Sequence, residues 1–196
     1  VRKVGLIVAM VLVFSLAHSK PPDPGGYQGA KWGMSPKEVK SAFPGKKWKG
    51  KAKRGYTYYY DKLIKIKVAV GFYFDAKEKR LWKVGITPMP MMGVTVSGSP
   101  YGPLYTYKQL KVAMRKKYGE PKRSDCVNRS GTVDLDAAIV AGQARCFDEW
   151  ELGETLIVLQ AQMRYGPFGG MMWDEMIKYE MKNKITEDAP NVEDKI

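Results

Sequence analysis

Residues 64–74 alternate without a break. Ile64, Ile66, Val68, Val70, Phe72 and Phe74 fall on one side, and Lys65, Lys67, Ala69, Gly71 and Tyr73 on the other. Only an extended chain segregates two such sets, because successive side chains of a strand point to opposite faces. The pattern predicts a strand over Leu63–Phe74 with one buried face and one face toward water. Arg80–Thr87 alternates again, with Trp82, Val84 and Ile86 inward, after a turn at Asp75–Lys79. Tyr56–Tyr60 is β-prone through its aromatics. Three one-sided strands in quick succession predict an antiparallel meander that must cover its apolar face.

The cover is a helix. Ser35 suits an N-cap, Pro36 the first helical position, and Glu38 the reciprocal capping-box partner. Met34 and Val39 complete a hydrophobic staple, and Pro44-Gly45 ends the helix. Thr106 and Gln109 spell a second capping box, with Tyr105 and Leu110 as its staple. Leu110, Ala113, Met114 and Tyr118 then recur at helical spacing up to Gly119. Strand patterns follow at Gln143–Leu152 and Thr155–Tyr165, the latter with Ile157, Leu159, Ala161, Met163 and Tyr165 on one face. Residues 173–182 fit either a strand (Ile177, Tyr179, Met181) or a helix (Met172, Met176, Glu180), and a strand repeats the first half. The expected fold class is α+β: tandem repeats of a helix plus an antiparallel β-meander, with the helices packed on one face of the sheet. The first repeat covers residues 30–90 and the second 105–185. A Pro/Gly/Met-rich connection, 91–104, joins them. Residues 20–29 read as a flexible leader and 186–196 as a polar tail.

Arg2 and Lys3 precede Val4–Ala17, a run of fourteen uncharged residues. That is short of the roughly 20 a spanning helix needs, and Ala17-His18-Ser19 puts small residues where a signal peptidase reads. Residues 1–19 are expected to be a signal peptide, and the protein periplasmic or secreted, with no transmembrane segment in the mature chain. Cleavage would remove His18, the only histidine. Histidine-based triads and His-ligated zinc would go with it, and no other catalytic constellation stands out, so no enzyme activity and no cofactor are expected. Cys126 and Cys146, in an oxidising compartment, read as a disulfide.

Loss of Arg2 and Lys3 would lower the net charge from +13 to +11. Eleven basic residues lie between Lys37 and Lys67 against Glu38 and Asp61, whereas the chain from Asp148 onward is acidic. Within the basic front, Lys46, Lys47, Lys49, Lys51, Lys53 and Arg54 interleave with Trp48 and run into Tyr56–Tyr60. Such a patch suits anionic lipid head groups, lipopolysaccharide or an acidic protein, and a solvated loop explains it as well. In an exported protein, nucleic acid is not an expected partner. Met89, Met91 and Met92, with Tyr101, suggest an adaptable protein-contact loop. Soft-metal binding of Cu(I) by the same methionines is a third reading. The acidic groups Asp134/Asp136 and Asp148/Glu149/Glu151/Glu154 fit polar strand edges and turns.

Gly33–Val39, GMSPKEV, resembles the GMTxxQV helix start of SmpA/OmlA-type domains of outer-membrane-assembly lipoproteins and of the tandem β-lactamase-inhibitor-protein fold. The wider order resembles uncharacterised exported bacterial proteins with a WGMS-x-x-EV start (Trp32–Val39). Phe72, Phe74, Leu81 and Trp82 follow that pattern, as do Lys117–Pro121 and the hairpin Trp150–Leu159. The resemblance implies a helix-backed sheet that acts through surface contact with an envelope protein.

Overall fold

A computed structural model describes residues 21–51, 55–63, 66–89, 103–165 and 171–184. Its centre is one seven-stranded antiparallel sheet. The first meander is β3 (Tyr56–Leu63), β4 (Ile66–Phe74) and β5 (Leu81–Pro88). The second is β6 (Arg123–Asn128), β7 (Ala144–Leu152), β8 (Thr155–Ala161) and β11 (Ile177–Met181). The two join where β11 pairs with β5, giving the order β3-β4-β5-β11-β8-β7-β6. The ambiguous segment near 177–181 is thus a strand, and a central one. The hairpin of β8 and β11 extends past the sheet as β9 (Met163–Tyr165) and β10 (Met171–Trp173).

Helices α1 (Pro36–Ala42) and α2 (Pro103–Tyr118) cover the same face. The protein is therefore a mixed α+β fold with helices packed against a large antiparallel sheet. From α1, Phe43 lies 5.4 Å from the Phe72 ring and 5.7 Å from Tyr59. From α2, Leu110 packs near Ile86 and Ile177, and the Tyr107 hydroxyl donates to Asp148 on β7. Val70, Phe72, Val84, Ile157, Leu159 and Trp150 fill the core between them. The α1 capping box forms as written in the sequence: Glu38 N–H reaches Ser35 Oγ at 3.4 Å, and Ser35 N–H reaches the Glu38 carboxylate at 2.7 Å.

Five expectations are corrected. The long strand begins at Ile66 rather than Leu63, because Leu63 closes β3 opposite Ile66; residues 64–65 lie outside the described set. Leu81 rather than Trp82 is buried at the start of β5. The pairing slips one residue between Phe74↔Leu81 and Tyr73↔Lys83, and Trp82 is the extra residue of a bulge. Helix α2 begins at Pro103, so Thr106 lies inside it, buried, and Tyr105 is too exposed to act as a staple. The stretch before β7 holds a further strand, β6, and a short helix α3 (Leu135–Val140) capped by Asp134.

The fifth correction concerns the leader. Residues 21–31 are docked, with β1 (Gly26–Tyr27) and β2 (Ala30–Lys31) forming a small hairpin. Its turn uses Gln28 at φ 47° and Gly29 at φ 99°, the left-handed pair a two-residue hairpin loop needs. Tyr27 packs 5.2 Å from Tyr179, and Asp23 takes hydrogen bonds from the Glu154 amide (2.5 Å) and the Thr155 hydroxyl (2.6 Å). The expected signal peptide and the polar tail lie outside the described residues, as does most of the 91–104 connection.

Candidate functional site

Residues of odd and even number in each strand sort to opposite faces, so register decides which side chains meet on the face without helices. On β3 these are Tyr56, Tyr58, Tyr60 and Lys62; on β4, Lys67, Ala69, Gly71 and Tyr73. The three tyrosines of β3 form a ladder, with ring centres 5.5 Å apart for Tyr56–Tyr58 and 5.6 Å for Tyr58–Tyr60. Burial, with the Glu175 charge second, pushes the Tyr56 hydroxyl up to about 12, so this end of the ladder is neutral at ordinary pH.

The basic loop joins this ladder. Lys49 exchanges two backbone hydrogen bonds with Tyr58, 2.7 and 3.0 Å, which extends the sheet by one bridge and covers part of the β3 edge. Its ammonium sits 4.7 Å from the Tyr60 ring centre. Lys62 and Lys67 stand directly opposite each other, both exposed. Among the described residues no carboxylate pairs with Lys49, Lys62 or Lys67. Lys46 behaves differently: it turns to the helix side, 2.8 Å from Asp61, and holds that carboxyl below the usual range. Lys47 and Lys51 are exposed. Lys53 and Arg54 lie outside the described residues, as do Met91, Met92 and Tyr101. Met89 is half-buried and its amide donates to Lys67 O at 2.8 Å.

The middle of the same face is filled by charge that satisfies itself. Glu175 lies over Gly85, accepts from the Tyr73 hydroxyl and meets Lys83 Nζ at 2.7 Å; Glu180 adds a contact at 3.4 Å. Burial opposes the Lys83 ammonium, but Glu175 and Glu180 together outweigh it and hold its pKa above the ordinary value. Tyr73 is raised well above the usual phenol range, by burial first and Glu175 second.

Four of the acidic residues singled out in the sequence hold the fold together. Asp134 caps α3, and Asp136 accepts the Leu104 amide at the start of α2. Asp148, fully buried, meets Lys111 at 2.7 Å, and Glu151 pairs with Lys122 at 2.6 Å. Among the described residues no group of three or more His, Cys, Asp or Glu side chains is placed to hold a metal ion. None of the described helices is long and apolar enough to cross a membrane. Cys126 and Cys146 form a disulfide between facing positions of β6 and β7, with a Cα–Cα distance of 4.1 Å.

Sequence reasoning named the loop lysines and the Tyr56–Tyr60 run beside them but missed Lys62 and Lys67 as their companions. The outward half of the strand alternation was the available signal; the partnership itself depends on register. Comparison with protein-family models, curated proteins and solved structures yields no match.

Proposed function

We propose that this chain is an exported, non-catalytic binding module of the cell envelope that docks an acidic protein partner on the face of its sheet opposite the helices. The observation that carries this reading is the Tyr56–Tyr58–Tyr60 ladder flanked by Lys49, Lys62 and Lys67, which have no acidic partner among the described residues. Flat aromatic rings supply contact area at little entropic cost, and unneutralised lysines attract an acidic surface. The test is capture from envelope extracts by the oxidised chain, compared with Y58A/Y60A and K49E/K67E. A partner held by the wild type and lost by both variants supports the reading. No partner above background, or equal recovery by the variants, overturns it.

A second reading is favoured by the exposure of Lys47, Lys49 and Lys51 on one loop: binding of anionic lipid or lipopolysaccharide. Vesicles with and without anionic lipid, tested before and after charge reversal of Lys47, Lys49, Lys51 and Lys53, decide it. Unchanged sedimentation of the reversed chain with anionic vesicles rejects this reading.

A further inference from the structure

At the opposite edge of the sheet from the tyrosine ladder, a cleft of about 170 Å³ opens where β6 leaves the sheet and β7 enters it. Val127, Arg129, Gln143, Arg145 and Gln162 line it, brought together from three separate stretches of chain. We propose that this cleft binds a small oxyanion group, a carboxylate or a phosphoryl group.

Three observations support the site. The first is its donor set. Two arginines and two glutamines are among the residues that line it, and no Asp or Glu is. Several basic side chains beside the sheet meet carboxylates: Lys83 with Glu175, Lys111 with Asp148, Lys122 with Glu151. Among the described residues Arg129 and Arg145 meet none. Asp125, the nearest acid on the same face of β6, turns its Oδ1 back to the Cys126 amide at 2.8 Å. Two like charges sharing a cleft without a counter-charge are what an incoming anion relieves.

The second is preorganisation. Phe147 is flanked by Arg145, with Cζ 5.5 Å from the ring centre, and by Arg123 at 5.7 Å. Among the described residues no hydrogen bond or ion pair occupies the Arg145 guanidinium, so its N–H fork, which matches an oxyanion, is unspent. The backbone fixes both arms: Arg145 pairs with Val127 in the ladder, and the Arg129 amide donates to Gln143 O at 2.9 Å. Gly142, at φ 71°, makes the turn out of α3 that sets Gln143 beside Arg129.

The third is size. The cleft is well below the roughly 300 Å³ at which pockets for drug-sized ligands begin, so it takes one small group.

The experiment titrates the oxidised full chain with inorganic phosphate and, separately, with succinate, both at ionic strength matched with chloride. Amide shifts in NMR spectra report binding. Saturable shifts at Arg129, Gln143 and Arg145 are expected. Arg145→Lys keeps the charge but loses the fork, and should weaken binding about tenfold or more. R129Q/R145Q should abolish it; both side chains are exposed, and unchanged shifts elsewhere verify the fold. Response to phosphate alone assigns a phosphoryl ligand, to succinate alone a carboxylate, and to both an oxyanion site that takes either. Response to neither, or equal shifts in R129Q/R145Q, overturns the proposal.

Discussion

Asp136 Oδ1 accepts the Leu104 amide at 3.0 Å, so the start of α2 is capped by a residue of α3, 32 positions downstream. A carboxylate there satisfies an orphan amide and meets the positive end of the helix dipole. Asp136→Ala is expected to cost about 1 kcal/mol, and Asp136→Asn, which keeps a capping oxygen, much less. Urea denaturation measures both, and an unshifted midpoint for Asp136→Ala would mean the cap contributes nothing.

Asp23 ties the N-terminal hairpin to the β7–β8 turn. Burial pushes its carboxyl up, but hydrogen bonds from Thr155 and from the Gly25 and Glu154 amides outweigh that and lower its pKa below the usual value of 3.8. The folded chain then holds its proton less tightly than the unfolded chain does. The Asp23 contribution is present above about pH 4 and disappears as pH falls through the depressed folded value. Wild type should exceed Asp23→Asn in stability at pH 6, and the gap should close toward pH 2. A gap of the same size at both pH values contradicts the clamp.

A Cβ at Gly85 would stand 2.3 Å from Glu175 Oε1. Gly85→Ala should therefore displace the carboxylate from Tyr73 and Lys83. Glu175→Ala removes it outright and should cost on the order of 3 kcal/mol, the low end for breaking a buried pair, since solvent reaches this one in part. The two substitutions share one mechanism, so the double variant should cost clearly less than their sum. Strict additivity in thermal melts would show that Gly85 does not seat Glu175.

No residue of β6 is buried, and the Cys126–Cys146 bridge, closing a separation of 20 residues, holds it to β7. C126A/C146A should lose roughly 3 kcal/mol in the chain-entropy account. Amide exchange should accelerate first at 123–128, ahead of the central strands. Uniform acceleration across the sheet would argue that the edge has no separate dependence on the bridge.

What the sequence discloses is what short range decides. The α1 capping box needs only Ser35 and Glu38, and the apolar set of β4 only its own alternation; both appear in the structure as read. The start of α2 was misplaced because its cap, Asp136, is remote and the nearby Thr106–Gln109 pair imitates one. Trp82 was misassigned because a bulge changes the parity of a strand without altering its composition. β6 was missed because an edge strand with exposed residues carries no apolar alternation. The tyrosine–lysine face was half legible: each residue was visible in its strand or loop, but Lys49 beside Tyr60 and Lys62 opposite Lys67 are products of pairing. The Arg129–Arg145 cleft had no local signal at all, since Gln143 and Gln162 reach it through two further turns of the chain.

The placement of β11 has a consequence for biogenesis. It is the last strand in sequence among the described elements, yet it seats between β5 and β8 and bridges the two meanders. Until residue 181 has emerged from the ribosome, neither half can find the other, and both present raw inner borders. The sheet therefore closes late, once β11 has been made, and until then β5 and β8 each keep an unpaired border.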